Sequence, residues 1–228
     1  MECLIRTPRY EALRREKTVF IVLLTDESES DADAGRAPTQ RTRTRDAQGL
    51  VNYYEPADEV TDRMWREKLG RFIYDHVVKP DMARQGTRPR SNPDKVYLAN
   101  FPANYTFWVQ KKGHPHDPRK DHYLYGSRYV PHFRSPMEFC LHLAWLLDGQ
   151  PMKAHGRPDC RCRYCDGSIK QAEISSAFGF YHPSNRDKDR KDKDRDGDGK
   201  RKPKIQRTVP PTTIPFKDYT KLNAASAS

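Results

Sequence analysis

Three closely spaced cysteines, Cys160-x-Cys162-x2-Cys165, constrain this chain more than any other feature. The spacing leaves no room for a helix or strand between the thiols, so one shared metal ion is the most economical reason to gather them. A structural zinc ion takes four ligands, commonly cysteine thiolates and histidine nitrogens. The triplet therefore predicts a zinc loop that needs one more ligand from elsewhere.

A well-signalled helix precedes the thiols. Ser135 is the predicted N-cap, Pro136 suits the first helical position, and Glu138 completes a capping box. Gly149 supplies the stop, so the helix is expected over 136–148. At about 100° per residue the apolar side chains form one buried stripe. Its members are Phe139, Leu143, Leu146 and Leu147.

The fourth ligand is expected from this helix or from the loop after it. His142 and Cys140 lie on opposite flanks of the buried stripe, so at most one of them can reach the thiols. We favour His142, because a lone buried cysteine is more typically a small hydrophobic residue. His155 and Asp159 remain as further candidates.

A redox pair is the competing interpretation of Cys162-x2-Cys165. The third thiol two residues earlier and the lack of a strand–helix–strand pattern around the pair favour the metal site instead. Arg161 and Arg163 alternate with the thiols, and positive charge there favours the thiolate form that binds metal.

Charge and composition narrow the class of protein. The chain carries a net charge of +11, and charged residues (32%) are nearly as frequent as hydrophobic ones (35%), so part of it is expected to be disordered. The five cysteines do not resemble a secreted disulfide framework. No apolar run approaches the roughly 20 residues that span a bilayer, and the N-terminus lacks the apolar centre of a secretory signal. These features favour a reducing compartment and a polyanionic partner or a basic tail.

Composition shifts divide the chain into five predicted segments. They are an N-terminal segment with a strand (1–25), a disordered linker (26–48), a zinc-containing domain (49–182), a disordered charged segment (183–207) and a tail (208–228). A short exposed basic cluster in the fourth segment is typical of a nuclear localisation signal. It consists of Lys200, Arg201, Lys202 and Lys204.

The remaining periodicity predicts an α+β fold. Apolar residues recur at helical spacing over 61–78, with Thr61 as N-cap, and a proline-punctuated loop follows from Pro80 to Pro93. Four runs read as strands, namely Lys17–Thr25, Lys95–Phe101, Tyr105–Lys112 and His122–Tyr125. The prediction is a small, mostly antiparallel sheet with two main helices and the zinc loop.

Two functions remain open at this level. The first is a protein-interaction module in which zinc joins the helix to the loop. The second is direct binding of DNA or RNA through basic loops, which would weaken steeply with salt. The phosphate-contacting candidates are Lys111, Lys112, Arg119, Lys120, Arg128 and Arg134. An enzyme is disfavoured, because no nucleophile–base pair, glycine-rich phosphate loop or proton-transferring glutamate accompanies the thiols.

Several blocks occur in an order that resembles a known family. They are WREKLG at 65–70, YLANFPANYTFW at 97–108, DHYLYGS at 121–127, FRSPMEFCLHLAWL at 133–146, and the thiol loop. Together they resemble the N-terminal domain of the fungal cryptic loci regulator 2 family, whose members are transcription-silencing proteins.

The resemblance implies a nuclear, non-enzymatic subunit of a silencing assembly that brings histone deacetylase and remodelling activity to chromatin. It also implies a structural zinc held by Cys160, Cys162, Cys165 and His142. Relatives often continue into a larger C-terminal region, so this chain is expected to be a truncated or stand-alone version.

Overall fold

The computed structural model describes residues 1–24, 30–39, 42–87 and 91–179, which form two β-sheets and their helices. Residues Met1–Tyr181 cluster into one compact unit, so the N-terminal strands and the cysteines share a fold. The α+β class is confirmed, with the strands divided between two sheets. The predicted charged segment, tail and nuclear localisation signal lie outside the described residues.

The first sheet has the strand order β1-β2-β3-β5. Its strands are β1 (Glu2–Arg6), β2 (Tyr10–Arg15), β3 (Thr18–Leu23) and β5 (Lys95–Leu98). The first three are antiparallel neighbours, whereas β3 and β5 run parallel. The strands predicted at 17–25 and 95–101 are confirmed in this sheet. Strands β1 and β2 were not predicted from the sequence.

The second sheet is antiparallel, with the order β4-β6-β7. Its strands are β4 (Val51–Pro56), β6 (Thr106–Gly113) and β7 (Arg119–Tyr125). The predicted strands at 105–112 and 122–125 are confirmed, whereas β4 was not predicted. One face of this sheet turns towards the core through Phe107, whose ring lies 4.6 Å from that of Trp65.

The first helical segment differs from the prediction at both ends. Helix α1 (Glu59–Ile73) begins after Asp58, whose carboxylate accepts the Thr61 N–H, so Asp58 is the N-cap and Thr61 is not. A π-helical turn (Tyr74–Val78) then leads into helix α2 (Lys79–Arg84), where a loop was predicted. Pro80 lacks the N–H of an α-helical ladder, and the wider π turn just before it accommodates that gap.

Helix α3 (Pro136–Leu147) and a short helix α4 (Gln171–Ala177) complete the fold. The predicted N-cap is confirmed, because Ser135 accepts the Glu138 N–H. The glutamate side of the capping box reaches one residue further back, to the Arg134 N–H. All four residues of the predicted apolar stripe are buried. None of the helices in the described ranges is long and apolar enough to cross a membrane.

Candidate metal centre

Four potential metal ligands converge where α3 meets the loop that follows it. They are His142, Cys160, Cys162 and Cys165, and their ligand atoms all lie within 4.8 Å of one another. The Nδ1 atom of His142 is 3.6 Å from the Cys160 sulfur, 3.9 Å from that of Cys162 and 3.6 Å from that of Cys165. The structure thus brings together the triplet and the favoured fourth candidate.

These distances fit the donor set of a tetrahedral zinc site. Zn–S bonds of about 2.3 Å and Zn–N bonds of about 2.0 Å, at tetrahedral angles, place sulfur and nitrogen about 3.5 Å apart. His142, Cys160 and Cys162 are at most 2% exposed, so a metal held here would be shielded from water. Three sulfurs and one nitrogen leave no open position, which is typical of a structural site.

The helix geometry explains why His142 reaches the thiols and Cys140 does not. The Cys140 thiol turns back along α3 and donates to the Met137 carbonyl at 3.1 Å. Its burial raises its pKa to about 12, so it stays a neutral, hydrophobic thiol. The other two candidates, His155 and Asp159, are exposed and do not join the cluster.

The other nitrogen of His142 has a partner that the sequence did not reveal. Its Nε2 lies 3.2 Å from the carboxylate of Asp31, which is only 1% exposed. Asp31 falls in the segment predicted as a disordered linker (26–48), yet its side chain is buried in the fold. Carboxylate–histidine pairs of this kind fix which ring nitrogen faces the metal.

Two further side chains hold the Asp31 carboxylate in place. The Tyr105 hydroxyl donates to Oδ1 at 2.6 Å, and the Ser127 hydroxyl donates to Oδ2 at 2.5 Å. Burial acts to raise the pKa of Asp31, but the hydrogen bonds from His142, Ser127 and Tyr105 outweigh it, so the pKa lies below its ordinary value. Asp31 is therefore an ionised, fully hydrogen-bonded anchor for the imidazole.

A second carboxylate attaches the cysteine loop to the start of α3. Glu138 accepts the Tyr164 hydroxyl at 2.8 Å and the Arg163 guanidinium at 3.3 Å. Both partners lie between Cys162 and Cys165 in the chain. Arg163, expected to favour the thiolates, therefore also binds this glutamate, which gives the loop a second contact with the helix besides the cluster.

We expect Asp31→Asn to weaken metal binding without abolishing it. An amide of the same shape loses the charge that orients and polarises His142, and such outer-sphere changes typically cost about 10- to 100-fold in metal affinity. Competition with a chromophoric chelator measures the change. Asp33→Asn is the matched control, because Asp33 is half-exposed and caps only a short 3-10 turn. Equal zinc affinity in the two variants would contradict the role given to Asp31.

The six basic residues predicted to contact phosphate do not form one surface. Register places Lys111 opposite Lys120 on one face of the second sheet, and Lys112 opposite Arg119 on the other face. The Arg128 guanidinium donates to the backbone carbonyl of Asp31.

Comparison with protein families identifies the stretch that carries this site. Residues 96–165 match the family model of the transcription-silencing protein, cryptic loci regulator Clr2. The predicted resemblance is confirmed over this range, which contains most of β5, the whole of β6, β7 and α3, and all four candidate ligands.

Comparison with solved structures gives a weaker likeness. A structure of Clr2 bound to the Clr1 C-terminus aligns with a TM-score of 0.42 and 20% sequence identity. The alignment covers 64% of this chain and 31% of that one, so it spans about a third of the length of that Clr2. No curated protein matches the sequence.

Proposed function

We propose that this protein is a non-enzymatic, nuclear subunit of a transcription-silencing assembly, in which a structural zinc ion holds a protein-interaction domain together. The observation that carries the proposal is the buried His142/Cys160/Cys162/Cys165 cluster inside the stretch that matches Clr2. Zinc would be held by one nitrogen and three sulfurs, and its role would be to join α3 to the cysteine loop.

The chemistry of the cluster supports a structural role. A catalytic zinc needs a position open to water or substrate, whereas three thiolates and one imidazole fill a tetrahedron. The carboxylate nearest the cluster, Asp31, is committed to His142, Tyr105 and Ser127. It is therefore not positioned to move protons for a reaction.

The partner is proposed to be a protein of the silencing machinery. The Clr1 C-terminus, which is bound to Clr2 in the solved structure, is the first one to test. Histone deacetylase activity would then come from other subunits of the assembly. This chain would help to recruit them and would not itself catalyse a reaction. Nuclear localisation would depend on the basic cluster at 200–204.

A binding experiment with the full chain tests this proposal. The purified protein is expected to contain one zinc per chain by elemental analysis and to bind an immobilised Clr1 C-terminal segment. Removing zinc with a strong chelator is expected to abolish the binding, and restoring zinc is expected to recover it. Failure of the zinc-loaded chain to bind, in an assay where Clr2 itself binds, would overturn the partner assignment.

A further inference from the structure

The outer face of the second sheet is unusually aromatic. Antiparallel sheets with one face on the core normally place polar residues on the other face. Here register puts Trp108 beside Pro56 and Tyr123, and places Tyr54 one row along. We call the five rings of Tyr54, Trp108, Tyr123, Tyr125 and His132 the tyrosine face.

The rings of the tyrosine face form a connected layer. Tyr125 lies 6.2 Å from both Tyr54 and Tyr123, and His132 lies 4.7 Å from Tyr123, measured between ring centroids. Trp108 and Tyr125 are each 8% exposed, whereas Tyr54, Tyr123 and His132 are partly exposed. The layer therefore offers three aromatic rings to an approaching molecule, backed by two buried ones.

Cations border this layer at one end and along the β7 edge. Lys112 on β6 and Arg119 on β7 lie opposite each other on the same side of the sheet as the tyrosine face. They form the next same-face pair after Gln110 and Asp121, two residues along each strand. Arg134, which is exposed, follows Phe133, whose backbone bridges Leu124 of β7, so Arg134 lies beside Tyr123 at the edge of the layer. Asp121 is the acidic group on this side of the sheet, and its carboxylate is bound by Arg119 at 2.9 Å.

We propose that the tyrosine face binds single-stranded nucleic acid. Bases would stack on Tyr54, Tyr123 and His132, and the phosphates on either side would meet Lys112 and Arg134. Partly exposed aromatic rings between cations are the combination that single-stranded chains recognise, because every base has a π-face and every linkage a negative charge. A rigid duplex hides its base faces, so it can use only the cations.

Fluorescence anisotropy with the full, zinc-loaded chain tests the proposal. The probes are a labelled single strand of about 12 nucleotides, as RNA or DNA, and the duplex of the same sequence. The single strand is expected to bind more tightly and to quench tryptophan fluorescence. Tyr123→Leu, which keeps an apolar side chain but removes the ring face, is expected to weaken single-strand binding at least about five-fold. Tyr123→Phe is expected to bind as the wild type does.

Charge variants separate this site from general attraction to a basic protein. Lys112→Gln is expected to lower the slope of log Kd against log salt by about 0.7. Lys95→Gln, which removes an exposed lysine from the first sheet, is the matched control and should leave the slope unchanged. Equal binding of duplex and single strand with no effect of Tyr123→Leu would overturn the proposal. So would a Tyr123→Leu defect confined to binding of a protein partner.

Discussion

Cys162→Ser is expected to lose zinc and, with it, cooperative unfolding. Cys162 is 1% exposed, and its sulfur lies 3.9 Å from the Nδ1 atom of His142 within the cluster. Structural zinc contributes about 10–16 kcal/mol of apparent binding free energy in zinc-finger peptides at neutral pH. A domain of ordinary stability unfolds at a cost of only about 5–15 kcal/mol. Loss of most of the zinc term is therefore enough to remove the folded state.

The variant also removes a negatively charged group from the buried cluster. Hydrogen bonds from the neighbouring Cys160 and Cys165 thiols, and then from His142, lower the pKa of Cys162. A serine there stays a neutral hydroxyl, so the buried imidazole would lose the Cys162 thiolate as a neighbour. The loop would still be tied to α3 through Glu138, but that carboxylate holds Arg163 and Tyr164, not the thiols.

Elemental analysis and differential scanning calorimetry measure the two effects together. Cys3→Ser is the matched control, because Cys3 is an exposed thiol outside the cluster and the chemical change is the same. The control should keep one zinc per chain and the wild-type Tm. A Cys162→Ser protein with stoichiometric zinc and an unchanged Tm would mean that the cluster does not hold the fold together.

The cysteine loop and α3 could be predicted because their signals are local. The N-cap, the helical proline, the apolar stripe and the three thiols all fall within 31 residues, from Ser135 to Cys165. Helical periodicity then placed His142 and Cys140 on different flanks, and the structure has His142 facing the thiols while Cys140 bonds its own helix.

Asp31 could not be predicted, because its role depends on contacts distant in sequence. It is 111 residues from His142 and 74 from Tyr105. Locally it belongs to an acidic run without apolar periodicity, which normally indicates solvated chain. Only the folded arrangement, with Ala32 bridged to Ser127, brings its carboxylate under the imidazole.

The N-terminal strands were missed for a different reason. Strands β1 (ECLIR) and β2 (YEALRR) are only five and six residues long, and each mixes charged residues with its apolar ones. Such segments favour neither helix nor strand by periodicity alone. Their conformation is decided by strand pairing: β2 pairs with β3, whose apolar run was predicted correctly, and β1 pairs with β2. The division into two sheets follows from strand partners, which a single sequence does not specify.

Gly70→Ala is expected to destabilise the protein severely, although alanine is the better helix former. Gly70 lies in α1 where the helix crosses β5 at its closest approach. A Cβ atom at Gly70 would lie 2.6 Å from the Leu98 nitrogen, 2.6 Å from the Tyr97 carbonyl carbon and 2.8 Å from the Tyr97 Cα. These are backbone atoms of β5, which is paired with β3. The clash can therefore be relieved only by moving the backbone of the helix or of the sheet.

The gain in helix propensity cannot offset this clash. Replacing glycine by alanine inside a helix is worth about 1 kcal/mol. Overpacking a rigid core contact costs about 1–3 kcal/mol and more where backbone must shift. Because the affected interface buries Leu69, Ile73 and Leu98 completely, we expect a net loss at the upper end of that range.

Urea denaturation of the zinc-loaded full chain measures the loss as a fall in the free energy of unfolding. Lys68→Ala is the matched control, since it places alanine two residues earlier on the exposed side of α1 and should leave stability within about 0.5 kcal/mol of wild type. Zinc content should stay at one per chain in both variants where they are folded, because Gly70 lies outside the cluster. A Gly70→Ala protein as stable as the control would mean that α1 and β5 are not packed backbone to backbone, and the placement of the first sheet against α1 would have to be redrawn.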